Sequence, residues 1–169
     1  LFAKTIHNEI QVIITVLASD QINPYPALGI IGASTALTIS DIAFNDPIGA
    51  CVIGLVDGEL VVNPTYEELI TSDLELMVAG TGDATMMVES GGNFVSEEVL
   101  LDALELAQEV NGAIVEQIRE IQSEVGKDKW EAPEVSDEER AAAEATRDLV
   151  GQRLINALKE TGDKTTRQD

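Results

Sequence analysis

Cysteine and histidine occur once each in this 169-residue chain, at Cys51 and His7. A single thiol excludes an intrachain disulfide framework and any zinc site built on several thiolates. A single imidazole excludes two-histidine metal motifs and any Ser-His-Asp arrangement centred away from residue 7. His7 precedes a strand-like run with no acid or nucleophile in register, so it reads as structural or solvated. Cys51 lies inside an apolar run and reads as a small core residue. Long hydrophobic runs are missing too; the apolar stretches are interrupted by Gly, Thr or Ser, so none spans a bilayer. No charged segment leads into an apolar one near the start, so no secretory signal is expected. The chain opens on Leu1 rather than Met and reads as a piece of something longer.

Cations are the scarcest commodity. Ten Lys and Arg face 31 Asp and Glu, a formal charge of −21. The imbalance is concentrated: residues 1–125 hold only Lys4 and Arg119 against 20 acids, a balance of −18, whereas residues 126–169 hold eight cations against 11 acids. Such a field repels the phosphate backbones that Lys and Arg normally recruit, which argues against a nucleic-acid grip by this surface. For most of the acids the plain reading is solvated, solubilising faces.

The rest has globular composition, 44 % hydrophobic and 24 % charged, and its order of elements is α+β. Glu9–Leu17 (EIQVIITVL) is expected to be a strand buried on both faces. The prolines of Asn23-Pro24-Tyr25-Pro26 then break the chain. Ala27–Ser40 (ALGIIGASTALTIS) is a helix candidate without a single charge, so it is expected to be covered on nearly every side. Its Gly29, Gly32, Ala33 and Ala36 invite close packing; neither a Walker nor a dinucleotide spacing is present. Asp57-Gly58, between Ala50–Val56 and Glu59–Asn63, predicts a hairpin with a two-residue turn. Thr65–Ser72 holds one or two helical turns, Asp73–Ala79 alternates like a half-buried strand, and Ala84–Ser90 returns as its antiparallel partner. Gly91-Gly92-Asn93 reads as a loop. Ser96 caps a long helix carrying the stripe Val99, Leu100, Ala103, Leu106, Ala107, Val110, Ile114, Ile118 and Ile121 down to Gly126. Ser136 and Glu139 form a capping box for a last helix running to about Thr161, with Gly162 as its stop. The charge shift and the Pro- and Trp-containing linker place a boundary near residue 128: a first unit over 1–127, a linker over 128–135, and an all-helical unit over 136–169. The tail from Asp163 holds nothing to bury, so the second unit reads as truncated.

Candidate chemistry is sparse. Glu67, Glu68, Asp73 and Glu75 crowd one corner, where carboxylates could hold Mg²⁺; the plainer reading is an exposed acidic turn. No activated nucleophile, tuned base or phosphate cradle is recognisable.

The runs Leu1–Leu17 (LFAKTIHNEIQVIITVL), Ile31–Ser40 (IGASTALTIS) and Phe44–Val62 (FNDPIGACVIGLVDGELVV), with Asn63-Pro64-Thr65 and Val78-Ala79-Gly80-Thr81, resemble bacterial-type polynucleotide phosphorylases. The likeness is to the later part of the first RNase PH-like core of that family, continuing into the helical domain that joins its two cores, and it runs from Leu1 to about Thr161. It implies a partial RNase PH-like α+β fold, a mixed or antiparallel sheet with packed helices, followed by the start of an all-α domain. It implies a parent that degrades RNA from the 3′ end by attack of inorganic phosphate, releases nucleoside diphosphates, runs in reverse as a template-free polymerase and uses Mg²⁺. It also implies a homotrimeric ring around an RNA channel, in the cytoplasm or an organelle, with no membrane partner.

Carried over residue by residue, the resemblance tells against catalysis within this stretch. Anchored on Val78-Ala79-Gly80-Thr81, the Asp, Asp and Lys of the active core of the family fall at Leu69, Glu75 and Met77. Its serine-rich phosphate site falls at Pro24, Tyr25 and Pro26. Neither catalytic nor phosphate-binding residues are therefore expected here, Glu75 is only a remote metal candidate, and no cofactor is expected in this piece. RNA would be gripped by parts of the parent outside the chain, which would also supply the missing N-terminal half-core and the second core. Exposed apolar surface is expected where that missing half would pack. Three rivals stand beside this reading: a non-catalytic exosome-type ring subunit of the RNase PH superfamily, an actinobacterial guanosine pentaphosphate synthetase-type relative, and an unrelated acidic binding module.

Overall fold

The structure, a computed structural model, describes residues 1–159. The chain divides into two compact units, Leu1–Glu131 and a second that begins at Ala132. The first unit is built on four antiparallel strands in the order β2-β1-β3-β4: β1 (Gly49–Val56), β2 (Glu59–Val62), β3 (Leu74–Gly80) and β4 (Thr85–Gly92). Asp57 and Gly58 have φ of 52° and 83°, so both central residues of the β1–β2 turn are left-handed. That geometry matches the twist of the flanking strands, and it is why Asp-Gly was a reliable hairpin signal. β3 pairs β1 through Gly54↔Glu75, Val52↔Met77 and Ala50↔Ala79 on one face, and through Ile53↔Leu76 and Cys51↔Val78 on the other. Gly91 and Gly92, expected in a loop, instead extend β4, opposite Glu75 and Leu74.

Helices cover the two faces unequally. Helix α3 (Glu97–Val125) packs Ala103 and Ala107 onto Cys51, Ile53, Leu74, Leu76 and Val78 to make the larger core. Burying Ile53, Leu74, Leu76 and Val78 contributes roughly 1.5–3 kcal/mol each. Ser96 caps α3, accepting from Val99 N at 3.4 Å. The seat is tight where β1 begins, because a Cβ on Gly49 would lie 2.5 Å from the Asn111 carbonyl oxygen and 2.8 Å from its Cα. The expected stripe is corrected in its middle: Asn111 and Val115 are fully buried, whereas Ile121 is 42 % exposed. Asn111 is only half satisfied there: its amide donates to the Val78 carbonyl at 3.3 Å, while its Oδ1 is buried without a hydrogen-bond partner among the described residues.

Helix α1 (Pro26–Ile39) covers the opposite face, where Ala27, Phe44, Ile48, Ala50, Val52 and Ala79 form a smaller core with Met77 packed against it. The Ser34 hydroxyl accepts from Ile48 N at 2.7 Å and fixes how the helix meets the sheet. The expectation that α1 is covered on nearly every side is not met. Leu28 is 65 % exposed, and Gly32 and Ala36 are exposed as well. Glu9–Leu17 is not a strand either: it has no ladder partner and is exposed throughout, Leu17 at 93 %. Its β-rich composition makes it ready for a sheet, but among the described residues no strand edge pairs with it. It lies instead beside α1, with Ile14 3.6 Å from the Cβ position of Gly29.

Short helix α2 (Tyr66–Thr71) follows β2 and is opened by a capping box the sequence reading passed over, Thr65 with Glu68. The second unit contains α4 (Asp137–Lys159), whose box is as expected: Ser136 N and Oγ both donate to Glu139 Oε2 at 2.9 Å. Thr161, Gly162 and the tail from Asp163 lie outside the described residues. Among the described residues no helix is long and apolar enough to cross a membrane.

Candidate functional site

Of the positions singled out by sequence, Glu75 and Met77 share the α1 face of the sheet, whereas Cys51 lies in the core on the other face. Glu75 and Met77 stand two residues apart on β3, with Glu89 of β4 directly across from Met77. Glu75 is exposed and its cross-strand partners are Gly54 and Gly91, neither of which offers a side chain. Met77 is half-buried and belongs to the apolar core under α1. Leu69 is half-buried on α2. The ion pairs found among the described residues use Arg119, at 3.8 Å from Asp46 and 2.8 Å from Glu116, and leave the two glutamates of this face without a cation.

The four-carboxylate corner does not form. Glu68 is committed to its cap, with Oε2 accepting from Thr65 N at 2.7 Å and Thr65 Oγ1 at 2.8 Å. Those bonds hold its carboxyl below the usual glutamate range. Asp73 accepts from the Asn93 side chain at 3.3 Å, while Glu67 and Glu75 face solvent. Among the described residues no three His, Cys, Asp or Glu gather closely enough to hold a metal ion.

The Pro24-Tyr25-Pro26 segment enters α1 with a proline in its first turn, and Tyr25 makes no side-chain cap. Two of the three residues have no amide proton to offer an anion. Behind them lies a cavity of about 140 Å³ lined by Pro24, Ala27, Ile31, Val52 and Pro64, an apolar lining. The polar side chains at its rim, Asn23 and Asn63, are already used: Asn23 Nδ2 donates to Asp20 Oδ2 at 2.6 Å, and Asn63 donates its backbone N–H to Val52 O at 2.7 Å while its side-chain oxygen accepts from Val52 N at 3.0 Å. His7 is exposed, at the other end of the chain's first segment. Cys51 is fully buried, and burial pushes its thiol up to about 11, so it is a neutral thiol at physiological pH.

One polar cluster escaped the sequence reading. Lys129 Nζ donates to the carbonyls of Leu37, Thr38 and Ser40 at 2.8, 2.8 and 2.6 Å, the C-terminal end of α1. Burial lowers its pKa, and the Asp41 charge opposes that. Nothing in a run such as KDKWEAPEV says which helix its lysines serve.

Residues 46–110, the sheet and the first half of α3, match the family described as 3′ exoribonuclease family, domain 2. Across 99 % of its length the chain is 42 % identical to a polyribonucleotide nucleotidyltransferase of Heliobacterium modesticaldum, covering 23 % of that protein. It is 44 % identical over its whole length to polyribonucleotide nucleotidyltransferase 1 of Alkaliphilus metalliredigens, covering 24 % of it. Over 83 % of its length it is 49 % identical to the enzyme of the same name from Halothermothrix orenii, covering 21 % of it. Over its whole length the chain is similar to one stretch of polyribonucleotide nucleotidyltransferases. It spans about a quarter of the length of the curated relatives it matches. Within a polyribonucleotide nucleotidyltransferase, the four-stranded antiparallel sheet with its packed helices is the α+β, RNase PH-like part of this stretch, and further helices follow it.

Proposed function

We propose that this stretch is a non-catalytic scaffold within a phosphate-dependent 3′-to-5′ exoribonuclease. The parent would convert RNA and phosphate reversibly into nucleoside diphosphates, and this part would help to build a homotrimeric channel for the RNA. The observation that carries the reading is the fate of the two positions on β3. The residue standing where an active core would place a lysine is Met77, drawn into the core under α1, and Glu75 beside it faces solvent with Glu89 nearby and no cation. Phosphorolysis brings phosphate to a phosphodiester, and both carry negative charge. Stabilising the charge that develops needs preorganised donors, cations or a metal. A face carrying two glutamates, a methionine and a proline-blocked helix start offers none of these. The Mg²⁺, the RNA-gripping cations and the reactive groups would then belong to other parts of the parent, and a cytoplasmic location fits such an enzyme.

The test is a time course with 3′-labelled RNA, phosphate and Mg²⁺. The 169-residue chain is expected to release no nucleoside diphosphate, while the full-length parent does. In that parent, Glu75→Gln with Met77→Leu should leave turnover within about twofold of wild type. Release of nucleoside diphosphates by the isolated chain, or a collapse of turnover in the double variant with the trimer intact, overturns the proposal.

A further inference from the structure

The segment that follows α3 does not simply leave the first unit. Lys127 N donates to Ile39 O at 3.0 Å, and Trp130 N donates to Asp41 O at 2.9 Å. Between them, the Lys129 ammonium reaches the three carbonyls of Leu37, Thr38 and Ser40. An α-helix ends with carbonyls that have no partner inside the helix and with the negative end of its dipole. Helix α1 carries no basic residue in its last turn, nor a charge anywhere along its length. The cation that completes it comes from 91 residues further along the chain, counted from Thr38. The same strap seats Trp130 beside a cavity of about 480 Å³, which it lines with Phe2, Ile6, Leu37 and Ile42.

We propose that residues 127–130 form a latch, closed by Lys129 on the C-terminal end of α1, which opens as one local unit and fixes where the chain leaves the sheet-bearing unit. The two backbone hydrogen bonds flank the lysine, so losing the ammonium frees both ends of the strap together. Lys129 is a positioning residue, and the proposal stands apart from any reaction of the parent.

The experiment compares the 169-residue chain with Lys129→Met and Lys129→Arg by amide hydrogen exchange and by emission of Trp130, the chain's single tryptophan. In the Met variant the Lys127 and Trp130 amides are expected to exchange at least about tenfold faster, by a common factor, since hydrogen bonds to a charged donor are among the stronger ones. Amides of β1 and β3 should keep their protection, and Trp130 emission should shift to the red. The Arg variant, with a cationic donor on a comparable stem, should restore slow exchange at both amides. Unchanged exchange at 127 and 130, a loss spread evenly through the sheet, or equal acceleration in the Met and Arg variants overturns the latch. Should the Met variant not fold, a urea titration of the wild-type chain decides: Trp130 emission must change before the far-UV circular dichroism does, and coincident transitions refute the proposal.

Discussion

Helices α1 and α3 press on opposite faces of one sheet, and they solve that task with opposite sequences. α3 is 29 residues of segregated polarity, with alanines toward the sheet and Glu98, Asp102, Glu105, Glu109, Glu116 and Glu120 toward water. α1 is 14 residues without a charge; it buries Ala27, Ser34 and Thr38 and still shows Leu28, Gly32 and Ala36 outside. The lesson concerns what a helix carries with it. α3 brings its own solvent face and is finished by water, whereas α1 is finished by borrowed groups: the Ile48 amide on its Ser34 hydroxyl, Lys129 at its end, and residues 12–18 along its outer side, across a groove of about 780 Å³.

The comparison can be broken most severely on the α3 side. Leu76→Ala empties the fully buried centre of the larger core and should cost about 2–5 kcal/mol, read as a lowered urea midpoint with an unchanged slope. Met77→Ala, on the half-buried α1 side, should cost clearly less; equal losses would show that the two faces are equivalent after all. Next come two glycines treated oppositely by their surroundings. Gly49→Ala drives a methyl into the backbone of Asn111 and should cost about 1–3 kcal/mol. Gly32→Ala adds a methyl where nothing lies within 4 Å, and should stabilise α1 by up to about 1 kcal/mol in thermal unfolding. A stabilising Gly49→Ala would mean that α3 is free to move off the sheet.

The smallest effect is a pH dependence at the α2 cap. The Glu68 carboxyl is held below its ordinary value of 4.5 by the Thr65 bonds, so folding favours its ionised form. Its contribution to stability is present above that ordinary value and disappears as pH falls through the lower folded value. Thr65→Ala should cost about 1 kcal/mol near neutrality and flatten this acid limb. If the wild type and the variant lose stability in parallel below pH 4.5, the cap does not act through this carboxylate.

Much of this was legible in the sequence, for local reasons. Asp57-Gly58 and Ser136 with Glu139 specify geometry within four residues, and the structure follows them. The Thr65 and Glu68 box was equally local and could have been found by the same rule. What was not legible depends on distant partners. Glu9–Leu17 has strand composition, yet a strand exists only when another edge accepts its ladder. Asn111 interrupts an apolar stripe and is buried with its amide on the Val78 carbonyl, 33 residues earlier. The carboxylates at 67, 68, 73 and 75 are neighbours in sequence, but a helix cap and the Asn93 side chain draw two of them apart.

Strand β4 carries a practical consequence. It is the last strand of the sheet in the order β2-β1-β3-β4, its eight residues are all exposed, and Glu89 is the only charge along TMMVESGG. Among the described residues no strand pairs with its outer edge, and a flank of this length with Met86, Met87 and Val88 on view is a template for a neighbour's backbone. Concentration therefore becomes a variable in its own right: dilute refolding favours the single molecule, and crowded refolding favours stacks joined rim to rim.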